Sequence, residues 1–211
     1  MRFGILTLFL LTIFASTSRA QLGGFQCPLK GSPAIRQGDS VAASGGRFDS
    51  PRVGGKKHGA LDLNGKLGDP VFASLDGIVA VADPKWGKMG GTVIIDHGSG
   101  AYTVYGHLGS VLIAEGARVN LGDKIGTIGY TGNAEDLRTA GLPPHLHFAL
   151  IEAGKSGLAN TDGPLRQMKA WGDYWQSLGA DLTGPVDPAL FMSAGATCWT
   201  GSTTMNAPGE R

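Results

Sequence analysis

The sequence predicts a mainly β protein: a compact antiparallel β-sheet domain with one amphipathic helix near its C-terminus. Short β-branched and aromatic stretches recur along the middle of the chain, each bounded by Gly, Asp, Pro or Asn, as is typical of strands joined by tight turns. Glycine accounts for 35 of the 211 residues without a regular period, which also favours many turns. The intervals between the stretches leave no room for the crossover helices of a parallel sheet.

Seven stretches qualify as strands by composition and length. They are Val71–Ser74, Ile78–Ala82, Thr92–Asp96, Tyr102–Gly106, Arg118–Val119, Ile125–Tyr130 and His145–Ile151. The pair Asp76 and Gly77 and the segment Asp96–Gly100 have the composition of hairpin turns. Strands joined by such turns pair with their neighbours in the chain, so we expect an antiparallel sheet.

One segment, from Pro164 to Leu178, has helical periodicity. Its apolar residues recur at spacings of three and four, which predicts an amphipathic helix. They are Leu165, Met168, Trp171, Trp175 and Leu178. Pro164 suits the first turn of such a helix and Gly179 its end. We expect the helix to pack on the sheet; the alternative is that Trp171, Tyr174 and Trp175 line a substrate groove.

The first 20 residues have the pattern of a secretory signal peptide. Arg2 supplies a positive charge, Phe3–Ala15 is apolar, and Ser16–Ala20 offers small residues for cleavage after Ala20. The apolar run is shorter than the roughly 20 residues that span a bilayer, although a retained anchor is the alternative. We expect the mature chain to begin at Gln21 and to be exported, to the periplasm or to the extracellular cell wall, without stable membrane insertion afterwards.

The mature chain has the size of one domain with a core. The glycine- and serine-rich residues 21–53 predict a loosely structured lead-in, residues 54–193 the folded domain, and residues 194–211 a polar tail. Signal cleavage removes Arg2 and Arg19, so 18 basic residues become 16, against 17 acidic residues. This balance excludes nucleic acid and anionic membrane as electrostatic partners, and we expect a monomer.

Two cysteines, Cys27 and Cys198, lie near the ends of the mature chain. In an oxidising compartment we expect them to form a disulfide. Closing so long a loop stabilises a fold by roughly 4–5 kcal/mol in the chain-entropy model. The alternatives are two free thiols or a lipidated Cys27.

Four residues have the spacing of metal ligands. His58 and Asp62 are four positions apart, and His145 and His147 alternate along a predicted strand, so both imidazoles face one way. Three nitrogen and oxygen ligands with a fourth position open to water are typical of catalytic zinc. The alternatives are a surface pair in a glycine-rich loop and two ordinary strand histidines. The pattern favours a zinc hydrolase.

Three motifs that contain histidine follow one another along the chain: His58-x-x-x-Asp62, Tyr105-Gly-His107-Leu108 and His145-Leu-His147-Phe148. Between and after them lie the phrases Gly68–Ala73, Asp76–Val79, Val93–Gly98, Gly122–Gly126, Gly129–Gly132 and Val186–Pro188. In these motifs and in their order, from Gly54 to Phe191, the chain resembles the lysostaphin-like zinc metallopeptidases of the M23 family. Each phrase alone is weak evidence, but their ordered combination is specific.

The resemblance implies a compact antiparallel β-sheet domain of the duplicated hybrid motif type and hydrolysis of peptide cross-links in peptidoglycan. It implies that His58, Asp62 and His147 bind Zn2+, and that His145 and His107 are the two catalytic histidines. In this assignment His145 accepts the proton of the attacking water and His107 donates a hydrogen bond to the carbonyl oxygen, although the two could exchange roles.

Another class of function is a cell-wall-binding or hydrolase-activating module on the same fold. Such relatives are usually recognised by missing ligands or missing catalytic histidines, whereas this chain keeps all five positions, which favours an enzyme. The remaining histidine, His97, follows a strand and precedes Gly-Ser-Gly, which favours a turn residue. Departures from the family pattern are Ala60, Pro143, Ala149 and the longer loop Asn133–Leu142, and they put substrate choice in doubt.

Overall fold

The computed structural model describes residues 25–31, 33–98, 100–153, 182–186 and 188. Within them the chain forms nine strands and one short helix. The strands are β1 Leu61–Asn64, β2 Pro70–Phe72, β3 Gly77–Trp86, β4 Gly90–Asp96, β5 Ala101–Val111, β6 Arg118–Val119, β7 Lys124–Ile128, β8 His145–Ala153 and β9 Leu182–Val186. The helix α1 is Glu135–Thr139, and 3-10 turns lie at Val53–Gly55, Gly87–Met89 and Gly132–Ala134.

All nine strands belong to one sheet, and every pairing in it is antiparallel. The main order is β1-β8-β5-β4-β3-β6, while β7 pairs with β5 and β2, and β9 pairs with β8. Strands β5 and β8 lie at its centre, paired from Ala101 opposite Glu152 to Gly106 opposite His147. The predicted antiparallel sheet is therefore confirmed.

The predicted strands all overlap observed ones, but two strands escaped prediction. These are β1, which contains the poor strand formers Asp62 and Asn64, and β9, which contains the poor strand formers Gly184 and Pro185. Asp96–Gly100 does connect the paired strands β4 and β5. The expected hairpin at Asp76 and Gly77 is wrong, because β2 pairs with β7 whereas β3 pairs with β4 and β6.

Two further predictions concern the C-terminal half. The loop Asn133–Leu142 contains α1, whose five residues are too few to show helical periodicity in a sequence. The predicted helix Pro164–Leu178 lies outside the described residues, as do residues 1–20, Cys198 and the tail. No helix within the described ranges has the length and apolar character needed to cross a bilayer.

The two faces of the sheet have different roles. One face, which we call the core face, carries the larger apolar cluster, including Leu61, Leu63, Tyr105 and Phe148. The opposite face carries a smaller cluster that includes Ala149. Because side chains alternate along a strand, Asp62 on β1 and both histidines of β8 lie on this second face, which we call the site face.

The described part of the lead-in up to residue 52 forms neither helix nor strand, yet it packs against the domain. Phe25, Leu29 and Ile35 are buried in the core cluster. The backbone next to Ile35 follows β1: Arg36 N–H donates to the Asp62 carbonyl at 2.9 Å, and Asn64 N–H donates to Ala34 at 2.8 Å. The lead-in therefore covers the edge of β1 that faces away from β8, as sheet edges require.

Candidate metal centre

His58, Asp62 and His147 converge on one point of the site face. Asp62 on β1 lies opposite His147 on β8, and His58 lies in the segment just before β1. The Asp62 Oδ1 atom is 3.0 Å from His147 Nδ1 and 3.2 Å from His58 Nε2. His58 Nε2 and His147 Nδ1 are 3.2 Å apart. This is the one group of three potential metal ligands among the described residues.

The geometry of this triangle fits a zinc ion. Zinc bound tetrahedrally at 2.0–2.1 Å places its ligand atoms about 3.3 Å apart, close to the three distances above. The Nδ1–H of His58 donates to the Arg47 carbonyl at 3.0 Å, which leaves the Nε2 lone pair directed at the other two donors. A histidine fixed by a backbone carbonyl in this way is typical of metal sites.

Asp62 is almost fully buried and is surrounded by nitrogen groups. Burial alone would raise its pKa, but His145, His147 and His58 offset this and hold the pKa well below its usual value. Its Oδ2 atom lies 3.8 Å from Arg36 Nη1 and 3.7 Å from Arg52 Nη2. The carboxylate therefore keeps its charge in the interior.

Two more histidines stand beside this triangle. The rings of His107 and His145 are 5.0 Å apart, and the rings of His107 and His147 are 5.7 Å apart. His145 Nε2 is 3.5 Å from Asp62 Oδ1, while its Nδ1 has no hydrogen-bond partner among the described residues. His107 Nδ1–H donates to the Thr131 carbonyl at 3.0 Å, so its Nε2 carries the lone pair.

A kink in the backbone turns His107 toward this group. Tyr105, two residues earlier, points to the core face, and strand alternation would send His107 the same way. Instead His107 has a φ of 62°, a left-handed conformation that is uncommon for residues other than glycine. It lies where β5 stops pairing with β8, at Gly106, and starts pairing with β7, at Leu108.

Burial keeps His107, His145 and His147 neutral at neutral pH. It lowers the pKa of His107 well below 6.5 and also lowers the pKa of His147. The pKa of His145 falls to about 4, because burial, together with the nearby Arg36 and the neighbouring imidazoles, outweighs the attraction of Asp62. Neutral imidazoles offer lone pairs to a metal ion or to a proton.

Acidification is expected to destabilise the metal-free protein through His145. Its folded pKa of about 4 lies below the ordinary 6.5, so the unfolded state binds more protons between these values. The contribution of His145 to the free energy of unfolding is therefore fully present above pH 6.5. About 3 kcal/mol of it is lost as the pH falls toward 4.

Urea unfolding of the protein at pH 7 and at pH 4, in the presence of a chelator, measures this loss. In His145→Ala the loss should be about 3 kcal/mol smaller; equal losses in both proteins would contradict the shift.

The structure brings together all five residues that the sequence singled out and leaves His97 apart. His97 bonds the Asp76 carbonyl and Thr103 Oγ1, both at 2.7 Å, as a turn residue does. Sequence reasoning missed the residues that support the five, above all Arg47 and Thr131. They act through their backbone carbonyls. Every residue type has a backbone carbonyl, so the sequence alone does not reveal these contacts.

Comparison with known proteins identifies the central segment. The model of the family described as Peptidase family M23 matches residues 56–157. The peptidoglycan DD-endopeptidase ShyA of Vibrio cholerae is 36% identical over 113 residues, which are 54% of this chain and 23% of ShyA. The chain thus spans about a quarter of the length of that relative.

Several relatives carry the name NlpD. Lipoprotein NlpD of Yersinia enterocolitica is 34% identical over 95 residues, 45% of this chain and 90% of that protein. Murein hydrolase activator NlpD of Escherichia coli is 32% identical over 103 residues, 49% of this chain and 24% of that protein.

Among solved structures, the antimicrobial peptidase lysostaphin from Staphylococcus simulans aligns with a TM-score of 0.52 and 19% identity. The alignment covers 88% of this chain and 61% of lysostaphin. At this level of identity the likeness concerns the fold alone.

Proposed function

We propose that this chain, which belongs to peptidase family M23, is a zinc endopeptidase that hydrolyses the peptide cross-links of bacterial peptidoglycan. The observation that carries the proposal is the triangle of His58 Nε2, Asp62 Oδ1 and His147 Nδ1, with sides of 3.0–3.2 Å. Two neutral histidines beside the triangle complete the groups that a hydrolytic site needs. The name of the relative ShyA supports peptidoglycan as the substrate.

Three residues would hold the zinc ion: His58, Asp62 and His147. A zinc ion in such a site lowers the pKa of a water molecule and polarises the carbonyl group to be attacked. Arg47 fixes the ring of His58 through its carbonyl, while Arg36 and Arg52 face the second oxygen of Asp62. Because the arginines lie near Oδ2, Oδ1 is the carboxylate oxygen that would face a zinc ion.

The hydrogen bonds of the two remaining histidines suggest their roles. Neutral His107 donates its Nδ1–H to the Thr131 carbonyl, so its Nε2 atom carries a lone pair. This tautomer suits the role of a general base, which accepts a proton on Nε2 and later returns it to the leaving amine. The Nδ1 of His145 has no hydrogen-bond partner among the described residues, and in the Nδ1–H tautomer it would donate to the oxygen on which negative charge grows. This reverses the division expected from family resemblance, in which His145 was the base.

The experiment is digestion of purified peptidoglycan, followed by mass spectrometry of the released muropeptides. We expect new peptide ends that disappear with a chelator and return with added zinc. The masses also identify the bond, distinguishing a direct D-alanyl–diaminopimelate link from a glycine-containing bridge. Absence of cleavage by the zinc-loaded protein would contradict the proposal.

The second candidate is a module that activates another cell-wall hydrolase, favoured by the name of the Escherichia coli relative. The same digestion distinguishes the two candidates. An activator gives no muropeptides alone, and its His145→Ala variant stimulates a partner hydrolase as well as the wild type does. The presence of all five site residues supports the enzyme.

We also propose that the protein acts as an exported monomer, in the periplasm or at the cell wall. The proposal rests on the signal-peptide pattern of residues 1–20 and on the charge balance of the mature chain. N-terminal sequencing of the exported protein should begin at Gln21. Light scattering of the purified chain should give the mass of one subunit.

A disulfide between Cys27 and Cys198 is a further prediction. Cys27 lies partly buried against the core cluster, while Cys198 lies outside the described residues. The protein purified from an oxidising compartment should show no free thiol by thiol titration after unfolding, and two after reduction. Reduction should lower the free energy of unfolding by roughly 4 kcal/mol. Two titratable thiols before reduction would contradict the pairing.

A further inference from the structure

We infer that Thr131 is a positioning residue that holds His107 in one tautomer and one orientation. The inference rests on the proposed function, in which His107 is a general base. The first contact is the hydrogen bond from His107 Nδ1–H to the Thr131 carbonyl, 3.0 Å long. A carbonyl can only accept, so the proton of a neutral His107 stays on Nδ1 and the Nε2 lone pair is available to the site.

The side chain of Thr131 holds its own carbonyl in place. Its hydroxyl donates to the Leu108 carbonyl at 2.9 Å and accepts from the Gly91 N–H at 2.8 Å. Gly91 on β4 and Leu108 on β5 are register partners, so the hydroxyl bridges two strands of the sheet. A methyl group in its place would remove both of these hydrogen bonds.

The hydrogen bonds of Thr131 lie next to an unusual backbone conformation. His107 has a φ of 62°, and such a conformation persists only when the surroundings enforce it. Thr131 contacts the kink residue through the ring of His107 and the following residue through the carbonyl of Leu108. It therefore links the unusual backbone to the direction of the imidazole.

The turn that carries Thr131 is itself closely packed. Gly132 follows with a φ of 65°, and a Cβ atom there would collide with the Lys88 carbonyl. A Cβ atom at Gly90, with a φ of 66°, would collide with Thr131. The 3-10 turns Gly87–Met89 and Gly132–Ala134 are thus in backbone contact, which fixes the position of the Thr131 carbonyl.

The test compares Thr131→Val, which keeps the shape and removes the hydroxyl, with Thr131→Ser, which keeps the hydroxyl. The matched control is Thr92→Val, since Thr92 is a buried threonine on β4 whose hydroxyl donates to Gly90 and does not contact His107. For each protein we would measure zinc content, kcat and KM on a cross-linked muropeptide. The His107 tautomer would be measured by 15N NMR of the metal-free protein.

We expect Thr131→Val to bind zinc like the wild type, to keep KM within about twofold and to lose about 10- to 100-fold in kcat, as supporting residues of catalytic sites do. Its His107 should show a mixture of tautomers, whereas the wild type is protonated on Nδ1. Thr131→Ser and Thr92→Val should retain both the wild-type kcat and the wild-type tautomer.

The inference is overturned if Thr131→Val keeps the wild-type tautomer and rate. It is also overturned if Thr92→Val or Thr131→Ser loses as much kcat as Thr131→Val, because the role of Thr131 is then that of any packed residue. If the wild type itself cleaves no peptide, the proposed function fails, and the tautomer of Thr131→Val alone decides the inference.

Discussion

Replacing His147 by alanine is expected to abolish zinc binding and, with it, hydrolysis. The variant removes one of three donor atoms that lie within 3.2 Å of one another, and two protein ligands rarely hold catalytic zinc. Loss of the ion removes several kcal/mol of transition-state stabilisation, equal to about a thousandfold or more in kcat/KM. Dialysis followed by elemental analysis measures the zinc, and muropeptide release measures the activity.

The control for this prediction is His97→Ala. His97 is also a partly buried histidine, but it bonds Asp76 and Thr103 at a turn and should leave zinc content and rate unchanged. One zinc ion per chain retained in His147→Ala would contradict the ligand assignment. Unfolding of that variant is distinguished from loss of a ligand by circular dichroism.

Replacing His107 by alanine should leave the zinc in place and lower kcat by about 10²- to 10⁴-fold, the usual contribution of a general base. None of the three donor atoms belongs to His107, so the zinc content should equal that of the wild type. A parallel loss of zinc and rate would show instead that the ring supports the metal triangle.

The backbone of His107 supplies a matched control variant. At a φ of 62° glycine is unstrained and alanine is not, so His107→Gly should be more stable than His107→Ala by about 1 kcal/mol. Both should be equally inactive. Equal stability of the two variants would mean that the kink relaxes once the imidazole is gone.

The sequence was sufficient to predict the antiparallel sheet and to single out the five residues that lie close together in the structure, for physical reasons that are local. The alternation of His145 and His147 along a strand places both rings on one face, and β8 does carry them there. His107 shows the limit of this reasoning, because alternation from Tyr105 predicts the core face. Only the kink, visible in the structure, turns its ring to the site.

The parts that escaped prediction depend on contacts between residues far apart in the chain. The polar residues Asp62 and Asn64 do not predict a strand. Strand β1 forms because Leu61 and Leu63 are buried and because its backbone pairs with β8. The tautomers of His58 and His107 depend on carbonyls 11 and 24 residues away. Such bonds depend on how the chain folds back on itself and can be formed by any residue type.

The contacts of the lead-in with β1 have a consequence for where the functional unit begins. The family match starts at residue 56, yet the carbonyl that orients His58 belongs to Arg47, and the Asp62 N–H donates to Gly46. A recombinant fragment of residues 56–157 would contain all the proposed ligands and both proposed catalytic histidines, but it would lack the backbone groups that orient His58 and Asp62. The smallest part of this chain that can hold the proposed zinc site is therefore larger than residues 56–157.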